Sequence, residues 1–189
     1  MDALELKKSL RRDFVSRRKA LSCDERRNAD RCIIDRLFAL PEFVQAEKIG
    51  SFIAFGAEPD LSPVSGKRIF LPRYDENKCE YVMVEVHSPE TDLVKGRYGI
   101  LEPAQSLPSA TAEDLQEMFF LVPAVACDRQ GMRLGRGGGF YDRLLAGTVR
   151  SAAVIYSCQL SEKSLPAEEF DRPVGFVVTE CETIVTQSR

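Results

Sequence analysis

The N-terminal part of the chain places apolar side chains at the intervals of an α-helix. In LELKKSLRRDFVSRRKALS the apolar positions recur every four residues, at Leu6, Leu10 and Phe14. This spacing predicts an amphipathic helix. Ser22 followed by Glu25 is the signature of a capping box and predicts a second helix that continues to about Leu40. Pro41 marks the end of that helix or the start of another.

Farther along the chain, the apolar residues form short runs typical of buried strands. These runs are KIGSFIAF, KRIFLP, EYVMVEV, MFFLVPAVA, SAAVIY and GFVVT, with helical patterns at TAEDLQE, FYDRLLAG and LPAEEF. Strands that alternate with helices predict an α/β fold, a single three-layer α/β/α sandwich over residues 1–189 with a largely parallel sheet. The connection GAEPDLSPVSG looks too short for a helical crossover, which predicts that the sheet is partly mixed.

Composition narrows the class of protein. The 189 residues suit one domain, and 26 basic against 29 acidic residues leave a net charge of -3, which argues against general nucleic-acid binding. The N-terminus is charged throughout, and no stretch approaches the roughly twenty apolar residues of a membrane helix. We therefore expect a cytoplasmic monomer that acts on small molecules and binds neither nucleic acid nor membrane.

The cysteines and the single histidine carry no recognisable metal or redox motif. The six cysteines are widely spread without a C-x-x-C pair, and they are expected to be reduced and mostly buried. His87 cannot complete a Cys/His zinc cluster at any recognised spacing. With one histidine in the chain, a histidine-centred acid–base mechanism is not expected.

The glycine-rich segment LVPAVACDRQGMRLGRGGGFYDRLL is the most informative part of the chain. A predicted strand leads into a loop with three consecutive glycines, and a helical pattern follows. Glycines let a backbone approach a ligand closely, and amides at a helix entrance favour an anion. Arg136 and Arg143 add positive charge for phosphate oxygens. The segment is neither a Walker A loop nor a dinucleotide-binding fingerprint, and a flexible hairpin or linker is the alternative.

Four charged residues are candidates for binding, each with a simpler alternative. Asp142 closes the glycine-rich segment, where its carboxylate could hold Mg²⁺ or form a salt bridge with a neighbouring arginine. Lys7 and Arg11 share one face of the first helix, where they could clamp phosphates or remain solvated. Glu58 follows the predicted strand KIGSFIAF, where α/β sheets bind ligands, and it could accept hydrogen bonds from a donor-rich heterocycle or be solvated.

Six segments occur nearly end to end along the chain: KKSLR, FIAFGAEPD, KRIFLPR, GRYGILEP, VPAVACDRQGMRLGRGGGFYDR and LPAEEFDRPVGFVVTE. In this order they resemble the 5-formyltetrahydrofolate cyclo-ligase family, also called methenyltetrahydrofolate synthetase. The resemblance implies an ATP- and Mg²⁺-dependent ligase that converts 5-formyltetrahydrofolate to 5,10-methenyltetrahydrofolate. ATP would phosphorylate the formyl oxygen, N10 would attack, and ADP and phosphate would be released.

The resemblance also implies roles for individual residues. The residues expected to bind ATP are Lys7, Lys8, Ser9, Leu10, Arg11, Arg133, Leu134, Gly135, Arg136, Gly137, Gly138, Gly139, Phe140 and Tyr141. The folate would contact Ile53, Glu58 and Tyr141, and the Mg²⁺ ligands would be Asp142 and Asp171. No catalytic base is assigned, because phosphoryl transfer needs positioning and charge neutralisation more than a protein nucleophile.

The chain departs from the family pattern at two places. The connection from Glu58 to Lys67 is about one helix shorter than the family's, with Leu61 near where relatives often carry Thr. Some relatives place Lys where Gly138 stands, so positive charge must come from arginines and Lys7. Three alternatives stay open: a non-catalytic folate- or nucleotide-binding relative, a sugar-phosphate isomerase- or CoA-transferase-like enzyme, and nucleic-acid binding by the basic first helix.

Overall fold

The computed structural model describes residues 3–96, 99–146 and 150–186. The helices are α1 Ala3–Ala20, α2 Cys23–Phe38, α3 Pro41–Gln45, α4 Pro89–Asp92, α5 Ala112–Glu117 and α6 Phe140–Leu144. The strands are β1 Lys48–Gly50, β2 Arg68–Asp75, β3 Glu80–Val86, β4 Leu93–Lys95, β5 Leu101–Pro103, β6 Phe119–Pro123, β7 Ala126–Asp128, β8 Arg133–Leu134, β9 Ser151–Val154, β10 Leu160–Ser161, β11 Phe176–Val178 and β12 Thr183–Val185. None of the described helices is long and apolar enough to span a membrane.

A seven-stranded sheet with the order β12-β11-β9-β6-β1-β2-β3 forms the middle layer. The pairs from β11 through β2 are parallel, whereas β2–β3 and β11–β12 are antiparallel, so the predicted largely parallel, partly mixed sheet is confirmed. The sequence analysis predicted a mixed sheet from the short connection GAEPDLSPVSG, and this reason was wrong. The short connection 51–67 joins β1 to β2 in parallel without a regular helix, and the antiparallel pairs arise at the two sheet edges.

The two faces of the sheet are covered by different helices. On one face α2 and α3 pack Ile33, Leu37 and Phe43 against strands β1, β6, β9 and β11. On the other face the side chains around Phe120 and Val122 are covered by α5 and α6. Burial of these apolar surfaces is the main favourable term in folding. The arrangement is the predicted three-layer sandwich, with one helical layer built from short helices.

The N-terminal helices agree with the prediction in both extent and capping. The Ser22 hydroxyl accepts a hydrogen bond from the Glu25 N–H at 3.2 Å, and the Glu25 carboxylate accepts one from the Ser22 N–H at 2.7 Å. This reciprocal pair is the predicted capping box at the start of α2. Pro41 begins α3. Phe14 on α1 does not join the core under α2 and α3 but packs against residues that follow β6, such as Val125.

Three local predictions were wrong. LPAEEF forms no helix: the N–H of Leu165 donates to the carboxylate of Asp128, which holds the start of the segment against a distant loop, and the N–H of Glu168 donates to that of Asp171. Only the first three residues of KIGSFIAF are a strand, and the rest leaves the sheet as a loop. The cysteines are all free, but only Cys127 is buried and the exposed ones are Cys23, Cys32, Cys79 and Cys181. The final glycine of FYDRLLAG lies outside the described residues.

Gly50 at the end of β1 is a place where a methyl group has no room. A Cβ there would lie 2.5 Å from the buried ring of Phe120. Gly50→Ala is therefore expected to lower the free energy of unfolding by about 1–3 kcal/mol. The measurement is urea unfolding followed by circular dichroism. Gly138→Ala is the control, since a Cβ there meets nothing within 4 Å. An unchanged unfolding midpoint for Gly50→Ala would contradict the tight packing.

Candidate active site at the carboxyl edge of the sheet

The direction of strand addition reverses between β1 and β6. From β1 the chain continues to β2 on one side, while β6, β9 and β11 are added on the other. In open α/β sheets the crevice outside the carboxyl ends of two such strands is the usual ligand site. The loop after β1 carries Ile53 and Glu58, and the chain beyond β6 leads to the glycine-rich loop.

Glu58 and Arg136 connect the two predicted binding regions. Nη2 of Arg136 donates to Oε1 of Glu58 at 2.7 Å, and the Arg136 guanidinium stacks 4.7 Å from the centroid of the Phe55 ring. The other carboxylate oxygen, Oε2, accepts a hydrogen bond from the Phe55 N–H at 3.0 Å. The Glu58 side chain is only 7% exposed, whereas that of Arg136 is 52% exposed. The residue predicted to bind folate is thus buried and held by a residue of the predicted ATP loop.

Arg18 lies at the candidate site, although the sequence analysis did not select it. Its side chain is 4% exposed, and Nη1 lies 3.6 Å from Oε1 of Glu58. Nε and Nη1 have no hydrogen-bond partner among the described residues. Burial lowers the pKa of Arg18, and the negative charge of Glu58 opposes this effect. The available signal was the spacing of Leu10, Phe14 and Arg18, which places the arginine on the apolar face of α1.

The glycine-rich loop adopts backbone angles that favour glycine. Gly137 has φ 100° and Gly139 has φ 64°, both in the left-handed region. Nε of Arg11 donates to the carbonyl oxygen of Gly135 at 2.8 Å, which fastens α1 to the loop. Because α6 has only five residues, its dipole is weak. An anion here would be held mainly by loop amides and by arginine side chains.

The residues of the KKSLR segment lie in three environments: the candidate site, the solvent-exposed surface and the core. Lys7 is buried, with Nζ 3.0 Å from Oδ2 of Asp171 and 3.1 Å from Oε1 of Glu168. Burial alone lowers the pKa of Lys7, but these hydrogen bonds outweigh it and raise the pKa above its ordinary value. Lys8 pairs with Glu5 on the exposed surface, and Ser9 is also exposed. Leu10 packs beside Phe14. Lys7 and Arg11 are therefore the two residues of this segment that face the candidate site.

Arg133 organises the end of the glycine-rich segment. Its Nη2 donates to Oδ1 of Asp142 at 2.6 Å, and its guanidinium lies 5.7 Å from the centroid of the Tyr141 ring. Burial raises the pKa of Tyr141, and the negative charge of Glu58 adds to this effect. The Tyr141 hydroxyl therefore stays protonated as a hydrogen-bond donor. Phe140 packs against the Tyr141 ring at 4.8 Å, and Leu134 is buried in the core.

Asp142 and Asp171 offer carboxylate oxygens that Mg²⁺ prefers. Oδ1 of Asp142 also accepts from the Arg172 N–H at 3.3 Å, which brings the loop next to Asp171 against Asp142. Burial acts to raise the pKa of Asp171, but hydrogen bonds from the Glu168 N–H and Lys7 hold it below its ordinary value. The described residues make no hydrogen bond to Oδ2 of Asp142 or Oδ1 of Asp171.

The donor set fits one particular kind of Mg²⁺ site. Among the described residues no three His, Cys, Asp or Glu side chains are grouped as a metal cluster. Mg²⁺ that accompanies a nucleotide usually has one or two protein carboxylates, several waters and the substrate phosphates. Asp142 and Asp171, each with one carboxylate oxygen that accepts no hydrogen bond from the described residues, fit that pattern.

A cavity of about 420 Å³ opens beside Glu58. One wall is the α2 face formed by Cys23, Arg26, Arg27 and Asp30, and the other is the loop after β1, from Ile53 to Asp60. At its inner end the Tyr156 hydroxyl donates to Oδ1 of Asp30 at 2.8 Å. Burial raises the pKa of Asp30. The sequence analysis missed this wall, although spacings of three, four and seven residues place its members on one helix face.

Comparisons with known proteins show which family the chain resembles. The model of the 5-formyltetrahydrofolate cyclo-ligase family matches residues 3–180. The 5-formyltetrahydrofolate cyclo-ligase of Escherichia coli K12 is 32% identical over 173 residues, which cover 86% of this chain and 94% of the relative. The Mus musculus cyclo-ligase is 28% identical over 190 residues, covering 92% and 93% of the two chains.

Solved structures extend the similarity to the fold. The NMR structure of Aquifex aeolicus 5,10-methenyltetrahydrofolate synthetase superposes with a TM-score of 0.83 at 36% identity, covering 97% of this chain and 94% of that one. A Mycoplasma pneumoniae 5,10-methenyltetrahydrofolate synthetase has the same fold, with a TM-score of 0.70 at 21% identity and coverage of 92% and 98%. From its sequence, its fold and its relatives, this chain belongs to the 5-formyltetrahydrofolate cyclo-ligase family.

Proposed function

We propose that this protein converts 5-formyltetrahydrofolate to 5,10-methenyltetrahydrofolate with consumption of ATP. The observation that carries the proposal is the 2.7 Å bond between Arg136 and Glu58. It places the loop expected to hold the nucleotide phosphates directly beside the acid expected to hold the folate. Transfer of a phosphoryl group between two bound substrates requires this kind of adjacency. A cytoplasmic location and a monomeric state stay predictions from the sequence.

The residues support the reaction by positioning and by charge. The γ-phosphoryl group passes to the formyl oxygen, N10 attacks the activated carbon, and loss of phosphate completes the methenyl bridge. Glycine amides, Arg11 and Arg136 bind the phosphates and neutralise charge that develops during transfer. Glu58 orients the pterin, and the protonated Tyr141 hydroxyl donates a hydrogen bond within the same pocket. Lys7 holds the loop around Asp171 against α1.

Asp142 and Asp171 are the residues that would hold Mg²⁺. The ion would neutralise phosphate charge and orient the nucleotide. Asp142→Asn is expected to raise the Mg²⁺ concentration for half-maximal activity about tenfold, because one charged oxygen ligand is lost. The measurement is a Mg²⁺ titration at fixed ATP. Asp35→Asn, an exposed carboxylate on α2, is the control. An unchanged titration would assign Asp142 to its salt bridge with Arg133 alone.

The reaction itself is tested by mixing purified protein with 5-formyltetrahydrofolate and following methenyltetrahydrofolate absorbance. The expected result is an absorbance rise that requires both ATP and Mg²⁺. No rise from folded protein that binds ATP and folate would identify a non-catalytic relative. Product formation without ATP would contradict the phosphorylation step.

A further inference from the structure

The cavity beside Glu58 is lined by carboxylates next to a buried ring and by two arginines of α2. Asp30 and Glu58 lie at the inner end, next to the fully buried ring of Tyr156, and the exposed Asp60 also lines the cavity. Arg26 and Arg27 lie one turn closer to the start of α2, where the cavity meets solvent. A ligand that matches this polarity has hydrogen-bond donors at one end and negative charge at the other.

Neither arginine has a buried charged partner among the described residues. Arg27 pairs with Asp24 at 2.6 Å, but the two side chains are 70% and 84% exposed, so the pair contributes little and can exchange. Nη1 of Arg26 donates to the carbonyl oxygen of Leu21 at 2.5 Å, and among the described residues its Nη2 has only the Cys23 sulfur as a hydrogen-bond partner, at 3.4 Å. Each guanidinium can therefore donate to an incoming carboxylate.

We propose that Arg26 and Arg27 bind the glutamate carboxylates of the folate substrate. This rests on the proposed function, which places the pterin at Glu58. The pterin ring carries N–H and amino donors, which suit the acidic inner end with Asp30 and Glu58. The glutamate at the far end of the molecule carries two carboxylates, which match the fork-shaped donors of arginine. The cavity volume is within the range of pockets for small ligands.

The test compares 5-formyltetrahydrofolate with its glutamate dimethyl ester, which keeps the formyl group and N10 but has a neutral tail. For the wild-type protein the ester is expected to have a KM about tenfold higher, and kcat is expected to change less than about twofold. In R26Q/R27Q the KM for the diacid should rise to about that of the ester, so the preference disappears. Added salt should reduce the wild-type preference in the same direction.

Two further variants separate tail binding from folding. R31Q removes an exposed arginine of α2 that does not line the cavity, and it should retain the full preference. Because Arg26 also bonds to Leu21, R27Q alone is measured beside the double variant, and it should lose part of the preference without a change in Tm. Equal KM values for the two ligands in the wild type would overturn the proposal. A preference that survives in R26Q/R27Q would overturn it as well.

Binding measurements keep this proposal distinct from the proposed function. The dissociation constants of the diacid and the ester are measured by calorimetry without ATP. A tail preference in binding but no turnover would remove the proposed function and leave the glutamate site intact. Turnover without a tail preference would support the proposed function and overturn the glutamate site. If neither ligand binds, both proposals are overturned.

Discussion

Glu58→Gln is expected to lower kcat/KM for 5-formyltetrahydrofolate by about a hundredfold or more. Glutamine keeps the size of the side chain but loses the charge that balances Arg136 and Arg18, and one of its polar atoms becomes a donor. A buried arginine left without an opposite charge destabilises the site, and the pterin loses a charged hydrogen-bond acceptor. The measurement is steady-state kinetics with folate and ATP varied separately. The KM for folate and kcat should change more than the KM for ATP.

Stability gives the control for this variant. Arg18 is 4% exposed and would keep an unbalanced charge, so Glu58→Gln should also lower the free energy of unfolding by about 3 kcal/mol. Arg18→Met combined with Glu58→Gln removes both buried charges and should recover much of that stability. Activity should stay low in the double variant, because the folate acceptor is still missing. Recovery of activity along with stability would show that Glu58 acts only through folding.

Arg136→Ala is expected to raise the KM for both substrates by about tenfold each. The guanidinium belongs to the loop expected to hold phosphate, and it also bonds to Glu58 and stacks on Phe55. Loss of one side chain therefore removes charge from the nucleotide site and orientation from the folate site. Arg136 is itself 52% exposed, and Glu58 keeps Arg18 and the Phe55 N–H as partners, so Tm is expected to fall less than in Glu58→Gln. Steady-state kinetics and a thermal melt together provide the measurement.

Two controls sharpen this second result. Arg136→Lys keeps the charge but not the planar fork, so it should recover part of the ATP affinity and less of the folate affinity. Arg31→Ala removes an exposed arginine on α2 and should behave like wild type. A change in the KM for ATP alone would mean that Arg136 leaves Glu58 when substrates bind. Wild-type values for both substrates would remove Arg136 from the site.

The sequence predicted local structure well where a single periodic pattern decided the outcome. The capping box between Ser22 and Glu25 is formed by neighbours in the chain, so the residue types alone predict it. LPAEEF has a helical composition, yet the N–H of Leu165 donates to the carboxylate of Asp128, 37 residues earlier in the chain. Local propensity does not decide this segment, because a partner from elsewhere in the fold binds its first residue.

Site residues divide in a similar way. The glycine-rich segment, Glu58 and Lys7 were selected as candidates because their types in that order resemble a family with known chemistry. Arg18 and Tyr156 were missed because one looks like a solvated helix residue and the other like a strand residue. Their roles depend on burial, which is a property of the packed molecule and not of a residue's neighbours in the chain.

The sequence by itself determined the α/β class, the main helices and strands, and the family. Those follow from periodicity and from an ordered set of motifs, which need no knowledge of contacts. Only the tertiary structure decided that Glu58 meets Arg136 and that one face of α2 becomes a cavity wall. Glu58 and Arg136 are 78 residues apart in the sequence, and they meet because the parallel strands bring their carboxyl ends to one edge of the sheet.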